Sequence, residues 1–399
     1  MNGFLKTQGR HIVNTKGKKV HLRGLNLGGW LMMEAYFMHS PNTAEQLFKK
    51  NFAKHLSTSA LKEFEKSFRG AFIKEEDIKR IKSFGFNCLR VPFNCRLVET
   101  KPYKYSKSGL SYLDNVVAWG KKYKIWIILD MHAAPGGQNH DWHGDSLGTA
   151  DLWAKESNRK RVYALWKFLA DRYKDEPWVA GYDLLNEAVT NNVKLLNSFY
   201  KKVIKSIRSV DQNHILFIEG NKWATDVKCL DRFDDDNHVI SIHNYEPIDL
   251  TFNFVPFLKY PLKSKKRTYN KQLLKKHIQQ YVQYSKKHDI PIFVGEFGVH
   301  YRENVCGEVK WLDDVLDIFN KNDIHWTYWT YKAIKHFMFP DGVFSYYENP
   351  PWVHRSGPVT GWNTYHLHWR KHKKAMIRSW QTKEFKENTL VLRTLKKYV

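Results

Sequence analysis

Short runs that are apolar at nearly every position alternate along this chain with longer stretches whose apolar residues recur three and four positions apart. The short runs are rich in β-branched and aromatic residues. They fall at 20–27, 87–91, 125–131, 179–185, 214–218, 238–242, 291–295 and 324–329, giving eight predicted strands. Between them the spacing predicts helices over 75–84 (Ile78, Ile81), 110–123 (Leu113, Val116, Val117), 159–173 (Val162, Leu165, Trp166, Leu169), 192–209, 271–288 and 308–320, with a last one over 364–380. Strands that are apolar on both faces and separated by helices belong to a parallel sheet covered on both sides. Eight such units suit closure into a (β/α)8 TIM barrel of the α/β class. The segment 221–237, after the fifth strand, is short and acidic and is the weakest of the eight repeats. Long connections over 32–74, 244–270 and 330–363 follow strands 1, 6 and 8. All three leave C-terminal strand ends, where barrels build their sites, so they are expected to wall a pocket.

Strand after strand also stops at a residue able to do chemistry. The second ends Leu89-Arg90-Val91-Pro92, the third Asp130-Met131-His132, the fourth Leu185-Asn186-Glu187, the sixth His243-Asn244-Tyr245, the seventh Gly295-Glu296-Phe297-Gly298 and the eighth Trp329-Thr330-Tyr331. Each has an ordinary explanation alone: a helix-capping Glu187, a hydrogen-bonded structural His132 or His243, a core Trp329. Closure brings them to one mouth, and the set carries more than its members. Two glutamates on well-separated strands can face each other across a sugar, the arrangement that glycosidic cleavage requires. Arg90 is expected to favour ionised Glu296, whereas Glu187 follows a neutral amide and is expected to remain protonated.

The 399 residues, 42% hydrophobic and 26% charged, provide ample core, and the longest apolar runs are far below the roughly 20 residues of a membrane span. We therefore expect one catalytic barrel over 1–399 and no membrane-spanning segment. The net charge of +25 is spread through every predicted helix without an aromatic-interleaved basic stripe, so it reads as a solvated basic surface and not as a nucleic-acid site. Cys88, Cys95, Cys229 and Cys306 are too sparse for a disulfide scaffold and read as reduced structural thiols. The N-terminus has no apolar stretch of secretory type. The chain as it stands reads as cytoplasmic, or as one whose leader has been removed.

Taken together, Arg23-Gly24-Leu25-Asn26-Leu27-Gly28-Gly29-Trp30, Arg90-Val91-Pro92, Asn186-Glu187, His243-Asn244-Tyr245 and Gly295-Glu296-Phe297-Gly298 resemble glycoside hydrolase family 5, in the right order along the chain. The resemblance implies a barrel of retaining β-glycosidases that needs no cofactor and takes a β-linked carbohydrate. It implies Glu187 as acid/base, Glu296 as nucleophile, and Arg90 and Tyr245 as the groups that orient Glu296. Asn186 would hold the sugar 2-hydroxyl, His132 and His243 would bind hydroxyls or orient Glu187, and Trp329 would floor the subsite. Residues 30–34 and the loop 134–139 are similar to the exo-β-1,3-glucanase and β-glucosidase branches. In those branches a glutamate at the position of Glu34 binds the terminal sugar, which favours a pocket over an open cleft. The following His140-Asp141-Trp142-His143-Gly144-Asp145 departs from that pattern.

Two alternatives remain at this level. His132, His140 and His143, with Asp141 and Asp145, are metal-ligand types, which would make a metal-dependent barrel hydrolase. A carbohydrate-binding barrel without chemistry is the other. The loop aromatics Phe252, Phe254, Phe257, Tyr346, Tyr347 and Trp352 are expected mainly to pack the loops onto the barrel. Linkage, aglycone and oligomeric state are left open by the sequence.

Overall fold

A computed structural model describes residues 3–263, 268–355 and 361–399. Eight parallel strands close into a barrel: β1 (Arg23–Asn26), β2 (Cys88–Asn94), β3 (Trp126–Ala133), β4 (Val179–Asp183), β5 (Ile215–Glu219), β6 (His238–His243), β7 (Ile292–Phe297) and β8 (His325–Tyr328). Each pairs with its sequence neighbours, and β8 closes on β1 through Trp326 opposite Arg23. All eight predicted strands are present. Around them lie α1 (Glu45–His55), α2 (Thr58–Phe72), α3 (Glu75–Ser83), α4 (Lys107–Tyr123), α5 (Glu156–Tyr173), α6 (Val193–Arg208), α7 (Lys271–His288), α8 (Glu308–Lys321), α9 (Tyr365–Ser379) and α10 (Thr389–Lys396).

The seven predicted helices correspond to α3 to α9, with ends shifted by three residues at most. The first long connection contains α1 and α2, whose Phe48, Phe52, Phe64 and Phe68 pack with Trp369 and Trp380 into an aromatic cluster outside the barrel. Four residues, Asn221–Ala224, are all the helix that follows β5, and Lys222 and Trp223 within it have left-handed dihedrals. The fifth unit therefore has no covering helix, as its acidic, aperiodic sequence foreshadowed.

Inside the barrel the strands step from apolar to charged two residues at a time, because alternate side chains point inward. Cys88, Ile128 and Phe217 form a lower layer with Val239 and Phe293. The hairpin Lys6–Gln8 and His11–Val13 closes that end with Leu5 and Ile12. Two residues beyond Cys88, Ile128 and Phe217 come Arg90, Asp130 and Glu219, all buried. The barrel is thus plugged with hydrocarbon at its N-terminal end and lined with charge toward its mouth. All four cysteines are free. Among the described residues no helix is long and apolar enough to cross a membrane.

Candidate active site

The charged layer is organised by one guanidinium. Arg90 is fully buried and donates through Nε to Asp183 at 2.8 Å and through Nη1 to Glu296 at 2.7 Å. Its Nη2 reaches Asn186 at 2.8 Å, Glu219 at 3.0 Å and Asp130 at 3.1 Å. Four carboxylates around one cation cannot all be ionised cheaply in a dry interior. Burial, with the Glu219 charge beside it, holds Asp183 well above the usual carboxylate range. Glu296, at the end of β7, accepts a second hydrogen bond from the Tyr245 hydroxyl at 2.8 Å. Both of its oxygens are therefore occupied by donors, which fixes the carboxylate in place.

Glu187 lies four residues beyond β4, with φ of 48°. Its Oε1 is 2.7 Å from His243 Nδ1, its Oε2 is 3.5 Å from His143 Nδ1, and its backbone N–H donates to Glu219 at 2.6 Å. One oxygen of Glu187 and one of Glu296 lie within 4.8 Å of each other, with His243 in the same group. The expectation that Glu187 has only a neutral amide for company is therefore incorrect. Burial raises its pKa, but the hydrogen bond from His243 and the charges of His243, His143 and His132 outweigh burial and lower it. The reverse holds for His243: burial favours the neutral ring, yet Glu296, Glu219 and Glu187 around it carry its pKa well up. Both shifts favour a proton on His243 over one on Glu187, across the 2.7 Å hydrogen bond that joins them. The resemblance offered orientation of Glu187 as one role for His243; the two residues are 56 positions apart and meet only on closure.

The remaining predicted site residues line the same mouth. His132 bonds Asp130 through Nδ1 at 2.8 Å and turns Nε2 toward Glu34 at 3.4 Å. Burial lowers its pKa, but those two carboxylates outweigh that and push it up to about 10. Its ring stacks on Trp329, with centroids 5.4 Å apart and planes 6° apart, and the Trp329 indole N–H donates to the Tyr36 hydroxyl at 2.7 Å. Asn186 accepts from Arg90, and its buried Nδ2 has no hydrogen-bond partner among the described residues. Glu34, His132, Glu187, His243, Tyr245, Glu296 and Trp329 all line one cavity of about 1020 Å³.

The metal-site reading does not hold together. His140 is exposed and faces the Gly148 carbonyl, His132 is held by Asp130, and Asp145 is tied to Asn94 and Arg96. Among the described residues the group with ligand-like spacing is Glu187, His243 and Glu296, the two carboxylates and the imidazole already discussed. Sequence reading passed over Asp130, Asp183 and Glu219 as site residues. The available signal was a carboxylate two residues after an inward-facing apolar position, as Asp130 follows Ile128 and Glu219 follows Phe217; Asp183, two after Gly181, carried no such signal. Of the loop aromatics, Tyr346 and Trp352 are buried as expected, whereas Phe254 and Phe257 are 47% and 83% exposed.

Comparison with known proteins shows the family and the fold. The family model described as "Cellulase (glycosyl hydrolase family 5)" matches residues 47–334. A "Beta-xylosidase" from Phanerodontia chrysosporium is 33% identical over 350 residues, covering 83% of this chain and 71% of the relative. "Endoglucanase C" from Acetivibrio thermocellus is 29% identical over 344 residues, covering 78% and 91%. The solved structure of Thermotoga maritima Cel5A in complex with mannotriose superposes with a TM-score of 0.62 at 21% identity, covering 94% of this chain and 96% of that one, a likeness of fold. The chain belongs to glycosyl hydrolase family 5 and is an O-glycosyl hydrolase.

Proposed function

We propose that the chain is a retaining β-glycosidase acting on β-glucosidic bonds of a glucan, oligosaccharide or glucoconjugate, with Glu296 as nucleophile and Glu187 as acid/base. The observation that carries this reading is the approach of the two carboxylates to within 4.8 Å. Retaining enzymes hold the pair about 5 to 5.5 Å apart, whereas inverting ones need about 6.5 to 9.5 Å to admit a water.

Glu296, held by Arg90 and Tyr245, attacks the anomeric carbon. The leaving oxygen takes a proton from Glu187, which draws it from His243 along their hydrogen bond. Bond formation removes the Glu296 charge; water then attacks the anomeric carbon and expels Glu296 as the carboxylate, while Glu187 takes the water's proton and returns it to His243, restoring all three groups. The free amide of Asn186 is placed to donate to the sugar 2-hydroxyl, a contact that strengthens as the ring becomes oxocarbenium-like. Trp329, with Tyr36 and His132 against it, supplies the apolar floor for the sugar's CH face, and Glu34 the hydroxyl-binding carboxylate.

The test is stereochemical. Proton NMR of the first product formed from an aryl β-glucoside should show the β-anomer. Glu296→Ala should lose at least about 10⁴-fold in kcat and regain turnover with azide, giving an α-glycosyl azide. Initial formation of the α-anomer by the native chain would refute double displacement.

A further inference from the structure

Some of the loop aromatics expected to pack onto the barrel do not, and these share one face with the cavity mouth. Ile248, Phe254, Val255 and Phe257 on the connection after β6, Val305 after β7 and Phe337 after β8 are all exposed, Phe257 by 83%, Val305 by 67% and Phe337 by 60%. Apolar residues exposed singly are ordinary, whereas a contiguous group is not. Here the group is contiguous because three loops are tied together beneath it. The Asn253 amide donates to the Phe337 carbonyl at 2.8 Å, and Arg302 donates to the Asn253 side chain at 2.5 Å and to the Leu250 carbonyl at 3.1 Å. The Tyr260 N–H donates to the Cys306 carbonyl at 2.8 Å, which brings the β6 connection against the segment of Val305. These polar groups are satisfied among themselves while the rings and branched side chains face outward, the reverse of the usual arrangement.

The face is continuous with the cavity. Ile248 and Phe254 line the cavity as well as the surface, and Phe254 packs edge-on against Phe252 and Phe339, with centroids 5.4 and 6.3 Å away. Phe257, beyond the cavity, has φ of 64°, a conformation that glycine or asparagine enters far more easily, so a bulky ring stands exposed where the backbone disfavours one. The charge around the face is positive. The connection over 244–270 carries five Lys and Arg against two Asp and Glu, Lys259 and Lys263 on it are exposed, and the whole chain has a net charge of +25. Exposed rings beside excess positive charge complement an anionic lipid bilayer, whose headgroup boundary takes up the rings while its phosphates attract the cations. A second copy of the chain, equally cationic, would be repelled. A neutral glucan would make no use of the charge and would need hydrogen-bonding groups that these loops have turned inward.

We propose that this face docks the molecule on an anionic lipid surface, with Phe257 and Phe337 entering the interface and the mouth of the cavity held against it. Docking uses neither Glu187 nor Glu296, so it stands or falls apart from the glycosidase reading.

The experiment sediments vesicles of phosphatidylcholine, alone or with about 30% phosphatidylglycerol, with the native chain, with Phe257→Ser/Phe337→Ser, and with Tyr103→Ser/Leu367→Ser, two exposed apolar residues outside the patch. At about 0.1 M salt the native chain should pellet with the anionic vesicles and hardly with the neutral ones, and about 0.5 M salt should release it. The patch variant should lose about 10-fold or more in partition coefficient, the control pair less than about twofold. A Phe257→Trp variant keeps an aromatic body, so it should still bind, and the emission it adds to that of the native chain should shift to the blue with anionic vesicles. Failure of the native chain to bind anionic vesicles, equal binding to neutral ones, a patch variant within about twofold of native, an equal loss in the control pair, or no blue shift overturns the proposal. Self-association of the native chain, or its retention on an insoluble β-glucan, lost in the patch variant and unaccompanied by vesicle binding, would give the face to a second copy or to a carbohydrate and overturn it as well.

Discussion

Replacing Glu219 by Gln should move the basic limit of catalysis although Glu219 lies behind both glutamates of the mouth. Its Oε1 is 3.2 Å from His243 Nε2 and 3.0 Å from Arg90, and its Oε2 accepts the Glu187 backbone N–H at 2.6 Å. Glutamine keeps an acceptor oxygen for that N–H and nearly the same shape, while its amide nitrogen takes the place of the oxygen that faces Arg90 and His243, so the change removes the charge and one acceptor together. At 3.2 Å and an effective dielectric of about 20 the lost attraction for an imidazolium is bounded by about 5 kcal/mol. Most of this is absorbed locally: Asp183 is held neutral partly by Glu219, and it can ionise once that neighbour is uncharged. We therefore expect the His243 pKa to fall by about one unit or more.

The sign follows from what the proton does. His243 has a raised pKa and stores the proton that Glu187 delivers, so activity toward poor leaving groups persists to high pH and is lost as His243 deprotonates. Lowering that pKa brings the basic limb of kcat/KM to lower pH. The assay is a kcat/KM profile from about pH 5 to 10 on an alkyl β-glucoside and on a 2,4-dinitrophenyl β-glucoside, whose leaving group needs no proton. The basic limb should shift for the first substrate and much less for the second. An unmoved limb, a shift to higher pH, or equal shifts on both substrates would refute the storage of the proton on His243.

Further expectations can be checked independently. Glu187→Ala should reduce kcat/KM on an alkyl β-glucoside by at least about 10³-fold while costing dinitrophenyl substrates far less; a plot of log kcat/KM against leaving-group pKa should steepen. Arg90→Met should destabilise the fold by about 3 to 5 kcal/mol in urea titrations at neutral pH, because it strands four carboxylates within 3.1 Å of the lost charge. Since protonation relieves the stranded carboxylates, that deficit should shrink as pH falls. Lys332 is buried over the Phe72 and Phe385 rings, and burial lowers its pKa to about 7. The unfolded chain binds this proton up to about pH 10.4, so the group costs stability below that and its cost is complete by pH 7, at most about 5 kcal/mol. Relative to the native chain, Lys332→Met should therefore gain more Tm at pH 7 than at pH 10, and a constant difference would contradict the assignment.

The barrel was legible because its strands are apolar on both faces and its helices keep a regular stripe, two local signals that survive without knowledge of contacts. The helices α1 and α2 escaped because they sit in a connection read as a wall of loops. Their phenylalanines, Phe48, Phe52, Phe64 and Phe68, serve a cluster outside the barrel and not its sheet. At the mouth, residue types and positions were legible and protonation was not. The strand-end motifs placed Glu187, His243 and Glu296 at one opening. Which of them holds the proton depends on distances of 2.7 to 3.6 Å between strands β4, β5, β6 and β7, and these exist only in the closed barrel.

The two-residue step from hydrocarbon to charge explains why this site tolerates so much buried ionisation. The lower layer of Ile128, Phe217, Val239 and Phe293, sealed by Leu5 and Ile12, keeps water from the back of Arg90. Its attraction for Glu296 is therefore weakly screened, and the carboxylate is held against an electrophile and not against solvent. The same exclusion, with the Glu219 charge, raises the Asp183 pKa, so the cluster is relieved of holding four anions around one cation. A polar substitution in the plug, such as Phe293→Asn, would admit water beneath Arg90 without touching any group at the mouth. Its signature would be a loss in kcat on every leaving group alike. A loss confined to substrates that need protonation would place the effect on the His243–Glu187 pair, and the screening argument would be wrong.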